Sequence, residues 1–405
     1  MAGALVGVAI VVVVAIVAAL AIEDDDGSSL ADADRPSTSA AGDPTVPTVP
    51  GETTTVAPGD LDSAVDDAIA FVERERDRTF TTRPPVEALE ESAFVDRYNS
   101  LIDEEVAKDP HAIDAANVIY RALGLIDPDQ DVVGVERSFG AEGVLGFYDD
   151  ETNELVVRGG EITPYFRITL VHEITHALDD QLIELHRPQY DEADDEVSFG
   201  LSAVAEGNAR RIENAYRDSL SDDDRRSADR EEAQFAAGFD ISAFHLSYLV
   251  LQLAPYDYGE PFVDSLLDVG GEDAVDDALR DPPHTSEQVL DFDAYESKEQ
   301  RVEVAPPPAD GDVVEDGVVG QVALAAILAD SDRNSAGRAA NGWGGDWYVA
   351  WKAGTASCVR AAFVMETSND RDELREALED WARAHDGEAD VAVDGDRIVL
   401  TSCAG

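Results

Sequence analysis

Residues 168–181, ITLVHEITHALDDQ, put two histidines and a glutamate into a helix that is apolar on nearly every side, and this conflict limits what the chain can become. Upstream, Thr163-Pro164 supplies a capping hydroxyl and a proline suited to the first turn, so the helix is expected to run through YFRITLVHEITHALDDQLIEL. Leu170, Val171, Ile174, Ala177 and Leu178 surround the polar trio, and a helix apolar all round is a buried one. Burying His172, Glu173 and His176 is costly unless the three are used. The histidines stand at i and i+4, so both imidazoles leave one face a turn apart. Glu173 lies ~100° further round, close enough to reach a water there without itself holding an ion. Two neutral imidazoles in this register hold Zn²⁺ at ~2.0–2.1 Å, the ion lowers the pKa of water toward ~7, and the carboxylate takes the proton as water attacks a carbonyl. This is the HExxH pattern; a satisfied polar cluster in the core is the alternative.

Zinc needs a third protein ligand. A metzincin continuation wants glycine three residues after His176 and His or Asp three further on, but Asp179 and Leu182 stand there. The next helical segment, VSFGLSAVAEGNARRIENAYRDSL, carries Glu206 among small residues that permit close helix contact, and Glu206 is the expected third ligand. The thirty residues from His176 to Glu206 suffice for the helix to end, turn through HRPQYDEADDE and return antiparallel. Asp179 or Asp180 would replace Glu206 in an aspartate-type site; otherwise these two, on the His172/His176 face, are expected to orient the imidazoles. Hydrolysis also needs a donor for the oxygen that becomes negative. The candidates are His284, Tyr256, Tyr258 and His245. His284, in DPPHTSEQ, is the expected donor and counts with Glu173 as catalytic, whereas His245 in ISAFHLSYLV reads as core.

Composition narrows the setting. The chain has 405 residues, 44% of them hydrophobic, enough for a sizeable core and more than one domain. Asp and Glu number 87 against 29 Lys and Arg, of which only Lys108, Lys298 and Lys352 are lysines, and the net charge is −58. Charge of one sign destabilises a compact state unless salt screens it, so the chain reads as a halophile's protein, with a merely acidic chain as the alternative. The sign opposes nucleic acid and anionic membrane surfaces as partners.

Residues 1–22, MAGALVGVAIVVVVAIVAALAI, carry no charged side chain and at ~1.5 Å per residue are long enough for a ~30 Å hydrocarbon layer. They are expected to form a transmembrane anchor, a single span, or else a cleaved signal segment. Residues 23–60 read as a disordered Thr/Pro-rich acidic stalk, 61–300 as the catalytic domain, 301–316 as a proline-rich linker and 317–405 as a small C-terminal α+β module. Within 61–300, amphipathic helices such as LDSAVDDAIAFVERERD precede a hairpin, EGVLGFYDDETNELVVRGG, turning at DDETN. Its strand ELVVR offers an edge to an extended peptide. The C-terminal module reads as helix, strand, strand, helix, strand, with Trp343, Trp347 and Trp351 in its core. Cys358 and Cys403 either pair in an oxidising exterior or remain buried thiols.

The stretches GVLGFYDDETNELVVRGGEITPYFRITLVHEITHALDDQ, AVAEGNA, APYDYGEPFVDSLLDVGGEDAVDDALRDPP, TSEQVL and GWGGDWY together span most of residues 85–350. Through them the chain resembles the gluzincin-type HExxH metallopeptidases, and more closely surface-attached zincin-like proteins of haloarchaea and actinobacteria. The resemblance implies an α+β protein: a mainly helical zincin-like domain with a strand hairpin beside the active-site helix, plus the C-terminal module. It implies a zinc-dependent, membrane-attached or lipoprotein surface peptidase and supplies no substrate; the expectation is a membrane-anchored extracellular zinc metallopeptidase acting on protein or peptide substrates, with the catalytic domain outside the cell. His172, His176 and Glu206 would hold Zn²⁺ and Glu173 would be the base. The sequence departs from the pattern where DFDAY follows EQVL in place of an expected His-Pro, which leaves the donor open, and it lacks a lipobox cysteine. The competing class is a catalytically inactive zincin-fold surface protein used for binding or cell-envelope assembly.

The charge makes the first prediction. Below ~0.5 M salt the Debye length exceeds ~4 Å and repulsion spreads between neighbouring side chains. The melting temperature is expected to rise steeply from about 0.1 to about 3 M NaCl or KCl; a flat melting temperature across that series would remove the halophile reading.

Overall fold

The structure is a computed structural model that describes residues 11–14, 58–187, 190, 195–385 and 387–405. Strand β1 (Val11–Val14) comes first, then helix α1 (Pro58–Arg76), strand β2 (Val86–Leu89) and helices α2 (Glu91–Lys108), α3 (Pro110–Ala122) and α4 (Val132–Gly143). The expected hairpin follows as β3 (Val144–Asp149) and β4 (Glu154–Arg158), antiparallel, with Gly146 opposite Val157 and Tyr148 opposite Leu155. Helix α5 (Pro164–Ile183) carries the histidines, and α6 (Asp195–Ser219), α7 (Asp222–Ala236) and α8 (Leu246–Arg280) surround it before the short α9 (Ser286–Leu290) and α10 (Phe292–Ser297). The C-terminal part is β5 (Asp312–Gly317), α11 (Gly320–Ala340), β6 (Trp343–Ala353), β7 (Ala356–Met365), α12 (Ser368–Ala384), β8 (Glu388–Asp394) and β9 (Arg397–Ala404). The protein is thus α+β and mainly helical, with a hairpin beside the histidine helix.

The first sheet has the order β1-β3-β4-β2, β2 lying parallel to β4 and β1 antiparallel to β3. ELVVR is therefore an interior strand, as is β3, and the edges of the sheet are β1 and β2. The expected membrane span is corrected here. Of residues 1–22 the structure describes Val11–Val14, which form a strand hydrogen-bonded along β3. Among the described residues no helix is long and apolar enough to cross a membrane. The transmembrane helix, the single span as a membrane partner and the single-pass membrane location all fall with it. The physical reason is that length and hydropathy alone do not choose between helix and strand, whereas a run of β-branched valines favours an extended backbone. The rest of residues 1–22, and the stalk up to residue 57, lie outside the described residues; residues 58–60 already belong to α1.

Helix α5 is buried almost throughout, as an all-apolar surface requires. Thr163 caps it through its side chain, accepting from the Phe166 N–H at 3.1 Å, with Pro164 in the first turn. Its outer face packs Leu170, Val171, Ile174 and Leu178 against Val65 and Val72 of α1, Val157 of β4 and Ile212 of α6. One turn beyond His176, Asp179 accepts from Arg76 of α1 at 2.8 and 3.0 Å and from Asn208 of α6 at 2.5 Å. Arg76 is fully buried and also pairs with Glu272 and Asp276 of α8. Asp179 was expected to orient an imidazole; instead it ties α1, α5, α6 and α8 together.

The second sheet, β5-β6-β7-β9-β8, is antiparallel throughout. One apolar cluster runs from Phe94 and Ile119 in α2 and α3 through Tyr248 in α8 to Trp343, Phe363 and Leu400 in this sheet, so residues 317–405 share a core with the helices before them. Trp343 and Trp351 are buried, and the half-buried Trp347 donates its Nε1–H to Asp316. Cys358 and Cys403 face each other across β7 and β9 and form a disulfide closing a separation of 45 residues. In the chain-entropy account such a loop stabilises the native state by about 4 kcal/mol. The Cys358→Ala/Cys403→Ala protein is expected to lose up to that amount in one cooperative denaturant transition, because the core is shared. Two separate transitions would show that the sheet unfolds alone.

Candidate metal centre

Three helices build the site. Helices α6 and α8 cross with their backbones in contact: a Cβ on Gly207 would stand 2.2 Å from the Gly259 carbonyl carbon, and one on Gly259 would stand 2.1 Å from the Ala203 oxygen. The small residues around Glu206 thus serve the close contact expected from AVAEGNA. The crossing sets Glu206 of α6 and Tyr256 of α8 beside the histidine face of α5, where the Tyr256 and His172 rings stack at 6.2 Å.

His172 Nε2, His176 Nε2 and the Glu206 carboxylate converge, with Glu206 Oε2 at 3.1 Å from the first and 3.5 Å from the second. One ligand atom from each of the three lies within 4.8 Å of the others. His172 Nδ1 donates to Glu213 Oε2 at 2.9 Å, which fixes the ring and turns Nε2 toward Glu206. Glu173, next on α5, is fully buried and lies against Gly146 of β3, where a Cβ would be 2.8 Å from its Oε1. A side chain at 146 would displace the glutamate.

The electrostatics are those of a buried acidic cluster. Burial disfavours the imidazolium form at both histidines; at His172 hydrogen bonds to Glu206 and Glu213 override it and push the pKa up to about 10, while at His176 burial prevails and the pKa falls. Burial would raise the Glu206 carboxyl, but the two histidines hold it down to about 2. Glu213 is also lowered, by Arg210 and His172, against its burial. Tyr256 is pushed well above its ordinary value by burial and by the charges of Glu206 and Glu173, so its phenol stays protonated and available as a donor.

These residues fit a divalent cation. His176 Nδ1 and Nε2 are both buried without a hydrogen bond, a costly condition for an imidazole that an ion beside Nε2 would relieve. Glu206 and Glu213 are buried beside the two imidazoles, with Arg210 at 3.5 Å from Glu213, and a divalent cation would help to compensate this buried acid. The donor set of two imidazoles and a carboxylate is one that zinc accepts.

The other expected residues lie elsewhere. His284 is exposed in the loop before α9, 3.5 Å from Asp281, and does not join the cluster. Asp180 accepts from the Tyr148 hydroxyl and the Leu185 N–H, both at 2.8 Å, and orients no histidine. His245 caps α8 in position and sits 3.1 Å from Asp127. Glu213 was missed, although a signal existed: it follows Glu206 by seven residues, two turns along one helix face.

Over residues 307–402 the chain is similar to a family model described as a domain of unknown function (DUF8575), a stretch that contains all but the last two residues of the second sheet and none of the cluster. Neither curated proteins nor solved structures give a match to the chain.

Proposed function

We propose that the protein is a zinc metallopeptidase that cleaves peptide bonds with His172, His176 and Glu206 as metal ligands and Glu173 as general base. The observation that carries this reading is the convergence of the three ligand groups within 4.8 Å on one side of the helix that also presents Glu173. Zinc bound there would supply Lewis acidity, polarising a carbonyl and making water a nucleophile near neutral pH. Glu173 then takes the proton from the attacking water and delivers it to the leaving amine. Tyr256 donates its hydroxyl to the oxygen that gains negative charge, the role expected of His284 from the sequence. Glu213 keeps His172 in the tautomer that leaves Nε2 free to ligate. The side of β3 next to Glu173 is paired with Val11–Val14, and an extended substrate would add along β3 by taking the place of that segment. The Cys358–Cys403 bridge favours an oxidising compartment outside the cytoplasm.

The competing reading, a zincin-fold protein that binds without cleaving, draws on the complete burial of His172, Glu173 and His176. Two experiments separate them. Glu173→Gln is expected to keep its zinc, measured by elemental analysis, while cleavage of a peptide library falls by ~10² or more; wild-type protein that is loaded with zinc yet cleaves nothing favours the binding reading. His176→Ala and Glu206→Ala are each expected to lose most of the metal, and Glu213→Gln to weaken its affinity by ~10–100-fold. Unchanged zinc affinity in Glu206→Ala would remove that ligand.

A further inference from the structure

A cavity of about 270 Å³ opens at the start of α5, walled by Leu145, Tyr165, Phe166 and Thr169 and reaching Arg158. It adjoins the metal centre: Thr169 lies one turn before Glu173 on α5, and both side chains crowd Gly146, whose Cβ would stand 3.1 Å from Thr169 Cγ2 and 2.8 Å from Glu173 Oε1. Its volume is below that of pockets for drug-sized ligands, ~300 Å³ upward, and suits one side chain or a chain end.

Arg158 gives the cavity its chemistry. The residue is 9% exposed, its Nη1 and Nη2 donate to the Val144 and Ala141 carbonyl oxygens at 3.0 and 2.6 Å, and its guanidinium is held between the rings of Phe94 and Phe235 at 5.0 and 5.6 Å. Its ion-pair partner is Glu91 at 3.0 Å, a side chain 73% exposed and so weakly compensating. The Nε–H is buried without a hydrogen bond. Burial lowers the pKa of this guanidinium in spite of Glu91, whereas the buried Arg76, with three carboxylates, is raised. The positive end of α5 points the same way. Glu161 and Glu231 also line the cavity and oppose an anion, but Glu161 is exposed and Glu231 half-buried. Salt screens such charges far more than it screens the buried guanidinium.

We infer that this cavity is the substrate-selecting pocket of the proposed peptidase and that it takes a carboxylate, bound at Arg158 Nε and supplied by an acidic side chain or by the substrate's own C-terminus. The inference rests on the peptidase reading for its place beside the scissile bond, but the carboxylate preference can be tested without turnover. In the zinc-loaded Glu173→Gln full chain at molar salt, calorimetry would compare a C-terminally amidated peptide containing Glu with its Gln and Lys counterparts, and a neutral peptide with a free C-terminus against its amide. At least one carboxylate ligand is expected to bind ~10-fold or more tightly than its neutral partner; the Glu arm would assign the pocket to a side chain and the free-acid arm to a chain end. Arg158→Gln is expected to abolish the difference. Because that change also removes core hydrogen bonds, Glu91→Gln provides a second variant at the surface, and it should widen the difference two- to threefold by removing the competing carboxylate. Equal binding of Glu, Gln and amidated peptides, tighter binding of the Lys peptide, or a preference that Glu91→Gln leaves unmoved and Arg158→Gln does not abolish, would overturn the pocket. A carboxylate preference in a protein that cleaves no peptide would keep the pocket and sink the peptidase.

Discussion

The backbone contact between α6 and α8 at Gly207 and Gly259 is the constraint on which the metal centre depends. Two helices whose carbonyls would collide with any Cβ at those positions cannot part without moving Glu206, which adjoins Gly207, and Tyr256, which lies one turn before Gly259. Helix α5 then has only one way to bury its polar trio, with His172 between Glu206 and Glu213 and with Glu173 turned to the hairpin. Apolar packing alone would allow α5 to rotate. The buried imidazoles and carboxylates forbid it, because a rotated helix would strand them without partners.

What the sequence disclosed was whatever is local and periodic. The helix of His172 and His176, its Thr163-Pro164 start, the hairpin at DDETN and the small-residue setting of Glu206 all follow from spacing along one element. Partners that arrive from afar were not legible. Asp179 and Asp180 do follow His176 within a turn, but Asp179 is claimed by Arg76, 103 residues earlier, and Asp180 by Tyr148. His284 looked chemically apt in a loop whose exposure no pattern reveals. Strand β8, EADVAVD, escaped notice because its acidic alternation is that of a solvent-facing edge. Val11–Val14 reads equally as membrane helix or strand until a partner strand is known.

The few arginines explain how so acidic a chain holds together. Arg76, Arg211 and Arg78 gather Asp179, Glu272, Asp273 and Asp276 into one network between α1, α5, α6 and α8. Guanidinium suits this task better than ammonium, since its fork of donors meets several carboxylates at once and desolvates more readily. Among the described residues Arg76 and Arg158 are the buried arginines; the remaining cations are too few to balance the acid on the surface, and that excess is what salt has to screen.

The clamp on Asp179 bears on how the protein would meet its metal. Arg76 and Asn208 fasten Asp179 one turn beyond His176, so α5 and α6 are locked in register by contacts that contain no ligand atom. Conformational entropy has then already been surrendered when an ion arrives. In domains that fold around zinc, the ion's binding energy is spent on assembling the chain; here nearly all of it would remain as affinity. Loading and removal become local events at three side chains, and the scaffold should outlast its cargo.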